Sequence, residues 1–265
     1  TDDRGGRPFV KYPANHHLVQ VLERAVVVGA ARWGRLAVEA GSFNGDEPEG
    51  PGDGPALARF GDSWSVRATV WPARGLELQA SRAEVASPEQ AQGGGLDQWK
   101  WSVSGRYEWC SGPVRAYGLV EWARTDERIG ARTAFRFRSV LAEGSVRRGA
   151  AELAFRYERT VRPEEERLAD PFRTARPASD FHILGATRWE GLTGRASVGL
   201  PGWCGLVPEL FVEVSRHVAR PALRPAVFVP AAFYGSERLW SFSAGVGLGA
   251  GAVPARMGRY GVAAR

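Results

Sequence analysis

Long apolar runs are missing from this chain of 265 residues. Apolar runs such as Ala25 to Ala31 fall far short of the roughly 18 residues that a membrane-spanning helix needs, so insertion by helices is excluded. Cysteine is almost absent. Cys110 and Cys204 lie far apart in the sequence, each just after a Trp, and they form neither a metal-ligand spacing nor a redox motif; only an oxidising compartment would let them bridge. Lysine is equally scarce. Lys11 and Lys100 are the only ones, so the net charge of +6 comes almost wholly from arginine. Those arginines are spaced singly rather than gathered into a basic patch, which argues against a nucleic-acid partner.

Catalytic and cofactor signatures are missing too. No Gly-rich phosphate loop or zinc spacing occurs, and the acidic stretch GDEPEGPGDG (45 to 54) lacks the ligand order of an EF-hand, so no cofactor or metal is expected. The adjacent His16 and His17 would point to opposite faces of a strand and read as a surface loop. His182 is a candidate general base, but no partnered Ser or carboxylate pair accompanies it at a recognisable spacing; the chain does not read as an enzyme. The opening TDDRGG also lacks a leader pattern, which reads either as a mature or trimmed form or as a chain whose true beginning is missing.

What is present is alternation. In QWKWSVSGRYEW (98 to 109), Trp99, Trp101, Val103, Gly105, Tyr107 and Trp109 share one face of an extended strand, and Gln98, Lys100, Ser102, Ser104, Arg106 and Glu108 share the other. Aromatics sit towards both ends of the apolar face, as they do where a strand meets the two interfaces of a bilayer. The pattern recurs. Trp64, Val66, Ala68 and Val70 alternate with Ser63, Ser65, Arg67 and Thr69, and Trp240 to Leu248 does the same. Moderate mean hydropathy (-0.27) beside abundant Gly and Trp fits strands that divide their side chains between lipid and lumen.

Taken in order, residues 1 to 18 have no period and form an irregular lead-in, and residues 19 to 262 form a single domain of about eleven strands. Tight turns are expected near Arg32, Pro72, Cys110 and Arg147, and longer loops after Phe43, Ser87, Asp126 and Val161; residues 190 to 208 fit a long turn or a short extra strand equally well. The expected fold is all-β, an antiparallel up-and-down transmembrane β-barrel of the bacterial outer membrane, with tight turns on the periplasmic side. An odd strand count conflicts with the even count of single-chain bacterial barrels, so an incomplete barrel with strands missing upstream is expected.

The segments SFNGDEPE (42 to 49), DSWSVRATVWPARGLELQAS (62 to 81), SPE (87 to 89) and RMGRYGV (256 to 262) carry a resemblance. They are similar to a family of uncharacterised Gram-negative outer-membrane barrel proteins described as porin-like. Members usually carry a further N-terminal section, so the resemblance also implies missing strands. It implies no substrate, cofactor or catalytic residue.

Two functions follow as expectations. On the polar faces, Arg67, Arg106, Arg115, Arg136, Arg138, Arg156 and Arg188 are pore-lining candidates, with Arg136 and Arg138 the better ones because no acid separates them. Trp64, Trp99, Trp101, Tyr107, Trp109 and Trp240 are candidates for a lipid-facing girdle. If the arginines stand free, the chain is a porin-like channel for small solutes with a preference for anions. If they pair with Glu77, Glu108, Glu121, Glu152, Glu158 and Glu213, they fill a barrel that acts structurally or through its loops. Outer-membrane lipid is the expected partner in both cases, and the oligomeric state is left open.

Overall fold

The computed structural model describes residues 25–46, 54, 56–90, 92–165, 183–202, 206–223, 226 and 228–250. They form one antiparallel sheet in which every strand pairs with its neighbours in the sequence: β1 (Val26–Trp33), β2 (Leu36–Phe43), β3 (Ser63–Ala73), β4 (Leu76–Val85), β5 (Asp97–Ser111), β6 (Val114–Ile129), β7 (Arg132–Arg148), β8 (Ala151–Glu165), β9 (Ile183–Gly199), β10 (Leu206–Pro221) and β11 (Arg238–Ala250). A 3-10 turn (Leu57–Arg59) and a short helix, α1 (Pro230–Tyr234), lie in the loops. The eleven-stranded up-and-down order agrees with the sequence reading. The sheet does not close into a barrel: β1 and β11 do not pair with each other and remain its two edges.

Four of the connections are two-residue hairpins made by the same device. Gly34, Gly112, Gly130 and Gly149 each occupy the first turn position with φ between 55° and 60°, and the residue that follows each is not left-handed. That is the type II′ turn, whose twist matches the strands it joins. Pro113, fixed at negative φ, suits the second position. All but one of these turns lie at the end of the sheet where β3 also turns into β4. At the opposite end the connections are long, except for the tight turn at Gly130.

That turn corrects one expectation. The stretch around Asp126 to Arg128 is not a loop: β6 continues to Ile129 and pairs with β7 from Arg132 onward, with a bulge between Glu127 and Arg128. A second correction concerns residues 190 to 199, which continue β9 through Gly199 in unbroken pairing with β8 and β10. A Gly-rich strand can hold such pairing because the ladder hydrogen bonds come from the backbone.

Burial is inverted relative to a water-soluble sheet. Gln98, Lys100, Arg106, Thr125, Glu127, Glu143 and Arg156 are buried, while Val103, Val120, Val146, Leu153, Val212 and Phe242 are exposed. Strand pairing puts the first group on one face and the second on the other. In a sheet only one layer thick, such an asymmetry requires the polar side chains to stand on the more enclosed face. That face is here called inner, and the apolar face outer.

Candidate functional site

The inner face is the place where ionisable side chains meet. Period-two alternation brings Arg67 opposite Ser81 and Glu39, Arg106 opposite Glu77 and Leu119, and Arg156 opposite Glu143 and Thr193. These arginines are paired. Arg67 donates from Nε to Glu39 at 2.6 Å, Arg156 donates from Nε to Glu143 at 3.0 Å, and Arg106 stands 3.3 Å from Glu108 on its own strand. Tyr117 adds a 3.0 Å hydrogen bond to Glu143, and Trp71 donates to Glu77 at 2.7 Å. Neutral pairs continue the lattice at Ser81 with Ser102 and at Thr193 with Ser215.

Arg195 belongs to the same lattice. It lies 2.7 Å from Glu209 and 3.9 Å from Glu213 and stacks 4.1 Å over the Phe211 ring. It stands in the stretch 190 to 208, where a long turn and a short extra strand fit the sequence equally well, so the sequence assigns it no face. Glu39, Glu127 and Glu143 were also missed, the last two because the bulge after Glu127 blurs the period. The two-residue turn at Gly130 alone does not supply the register: it pairs Arg128 with Thr133 and would bring Glu127 opposite Ala134, whereas the bulge moves Glu127 to Phe135.

The pore-lining candidates therefore divide. Arg67, Arg106, Arg115 and Arg156 stand on the inner face; Arg115 is exposed at the tight-turn end, opposite Arg147. Arg136, Arg138 and Arg188 stand on the outer face, which corrects their assignment. The reason is the bulge: it sets the parity of β7 so that Phe135 and Phe137 point inward, and Phe137 is only 1% exposed. On β9 the parity likewise turns Trp189 inward beneath Arg162, 4.3 Å away, and Arg188 outward. Arg136 instead pairs at 2.8 Å with Asp126, which also holds Arg124.

All six girdle candidates stand on the outer face, Trp64, Tyr107, Trp109 and Trp240 exposed and Trp99 and Trp101 half-covered by arginine. Arg82 lies 5.0 Å from the Trp99 ring and Arg124 lies 5.1 Å from the Trp101 ring. His182 and Cys204 fall outside the described residues; Cys110 is exposed and unbridged.

A second cluster lies at the long-loop end, where three of the sequence segments quoted above converge. Arg59 donates to the carbonyls of Ala86, Ser87 and Gln90 and pairs with Asp62 at 2.8 Å, tying the loop after β2 to the loop after β4. Asp62 accepts from Gly45 N–H and Ser63 Oγ, and Ser63 in turn accepts from Ala86 N–H. Gly45 permits this closeness, because a Cβ there would collide with the Ala86 carbonyl oxygen. The cluster spends its hydrogen bonds on itself. It is a clasp.

Asp46 gives the clasp a pH dependence. Burial alone would raise its carboxyl, but the hydrogen bonds from the Asn44 side chain and the Ala56 N–H, together with the Arg59 charge, outweigh burial and hold it below its ordinary value of 3.8. A depressed carboxyl contributes stability that is complete above the unfolded value and is lost as pH falls through the folded one. Hydrogen exchange at Ala56 N–H should accordingly lose protection when the protein is acidified below about pH 3.8. Asp46→Asn should abolish that acid transition; an unchanged transition would assign it to another group.

Comparison with protein-family models and with curated proteins returned no match.

Proposed function

We propose that this chain forms the wall of an outer-membrane β-barrel of porin-like type, giving small solutes passive passage along its inner face. The observation that carries the reading is the inversion of burial: charged side chains are enclosed on one face of a single sheet while Val, Leu, Phe and Trp are presented on the other. In water this arrangement would leave a row of large apolar side chains uncovered on one face, which monomeric proteins avoid. In a bilayer it becomes favourable, because alternate residues of a membrane strand meet lipid and lumen. The alternation of tight turns with long loops supports the same reading. Both sheet edges have to be paired for membrane insertion, by further strands or by another copy.

With Arg67, Arg106, Arg156 and Arg195 each held by a carboxylate, the inner face away from the Arg115 and Arg147 rim offers little basis for choosing anions over cations. A channel of weak charge selectivity is expected. The same saturation, with Phe137 and Trp189 turned inward, favours the second reading of a filled barrel with a structural role. Planar-bilayer recording of the purified protein separates them. Steps of conductance with a reversal potential near zero in a salt gradient are expected; absence of conductance would leave the structural reading, and a strongly anion-selective current would contradict the paired ladder.

A further inference from the structure

The outer face changes character towards its loop end. Arg82 on β4 stands opposite Trp101 on β5, Trp101 opposite Arg124 on β6, and Arg124 opposite Arg138 on β7. The same register row passes through Val161 on β8 to Arg188 on β9 and Arg220 on β10. At about 4.8 Å between strands, the row is a line of guanidinium groups about 29 Å long.

Such a line is costly by itself. Like charges directly opposite each other destabilise an antiparallel pair, and this row contains two such pairs, Arg124 with Arg138 and Arg188 with Arg220. Neighbouring acids relieve it only in part. Glu84 takes Arg82 at 2.8 Å, Asp126 is shared by Arg124 and Arg136, and Glu237 is 3.5 Å from Arg220. Among the described residues no carboxylate lies within ion-pair distance of Arg138 or Arg188. Their donors match the oxygens of a phosphate, which guanidinium recognises bidentately.

The position of the row says what carries the phosphate. Immediately beyond it the same face presents Val103, Val120, Trp122 and Val140 exposed, while the indoles of Trp99 and Trp101 hold Arg82 and Arg124 at the border. A free anion would use only the guanidinium groups. A ligand with a phosphate joined to hydrocarbon would use both. We infer that this row binds the phosphate of anionic lipid head groups, whose chains lie along the adjoining apolar face. The inference rests on the membrane reading proposed above.

The test is native mass spectrometry of the full chain released from detergent micelles, offered phosphatidic acid, diacylglycerol of the same chain length, or inorganic phosphate. Phosphatidic acid adducts should exceed diacylglycerol adducts at least tenfold, with none from inorganic phosphate. Arg124→Gln/Arg138→Gln/Arg188→Gln should lower the phosphatidic acid adducts at least tenfold while keeping the β circular dichroism spectrum. Arg115→Gln, at the tight-turn end, should leave them unchanged. Equal binding of phosphatidic acid and diacylglycerol, an undiminished triple variant, a like loss in Arg115→Gln, or adducts from inorganic phosphate alone would each overturn the inference. Should the triple variant not fold, Arg138→Gln and Arg188→Gln singly replace it, each with an expected loss of at least threefold. Recovery of the protein from cells without detergent would defeat the membrane reading and this inference together, whereas a detergent-requiring protein with no preference for phosphatidic acid defeats the inference alone.

Discussion

If the outer face meets lipid as proposed, Val120→Arg is expected to destabilise the bilayer-reconstituted protein by about 2–4 kcal/mol, the cost of a cation among hydrocarbon chains. Val120 lies on β6 between Gly118 and Trp122, opposite Gly105 and Ala142, and is 59% exposed. Nothing crowds it. In a water-soluble protein such an exposed valine would accept arginine at almost no cost, because surface substitutions away from special features usually fall within about 0.5 kcal/mol. The two environments therefore predict different results for one substitution. Ala131→Arg is the control, since Ala131 sits exposed in the tight turn after β6 and lies in water on either reading. Urea unfolding of both variants in lipid vesicles measures the difference. Equal stabilities would remove the bilayer from the explanation of the outer face.

Much of this architecture was legible because alternation is a local property. Trp99 to Trp109 announced both its strand and its faces, since side chains two apart on a strand share a face whatever the rest of the chain does. The failures occurred where the count was broken. On β7 residue type assigns the arginines to the polar face, but the extra residue at Ala134, where Arg128 pairs with Thr133 and Glu127 with Phe135, turns Phe137 inward and Arg136 outward. The same error affected Trp189 and Arg188, where residue type was a poor guide because a large aromatic also packs on the enclosed polar face. Ion pairing was hidden for another reason. Whether Arg156 meets Glu143 depends on the register between β7 and β8, which the two-residue turn at Gly149 and Ala150 sets and composition does not. The clasp was visible only as three separate segments, since Gly45, Asp62 and Ala86 are brought together by the pairing of β2 with β3 and of β3 with β4.

The Glu143–Arg156 pair gives the second large effect and the clearest view of the inner face. Glu143 accepts from Arg156 and from Tyr117, with side-chain exposures of 0% for Glu143 and 8% for Arg156. Glu143→Leu leaves a guanidinium enclosed without its carboxylate and should cost about 3–5 kcal/mol, as should Arg156→Leu in the opposite sense. Replacing both removes the uncompensated charge, so Glu143→Leu/Arg156→Leu should be more stable than either single variant, with a coupling of a few kcal/mol in the double-mutant cycle. Current through the protein provides an independent reading of the same pair. If solutes pass along the inner face, Glu143→Leu removes a negative charge from it and should shift the reversal potential towards anion preference, Arg156→Leu should shift it towards cations, and the double variant should return it near the original value. Strict additivity of the stabilities would show that the two groups do not support each other, and three identical reversal potentials would place the pair outside any conducting path. A result in which stability couples but current does not exist would identify the lattice as the filling of a closed wall, because the ladder would then be holding β6 to β8 together without bordering a route for ions.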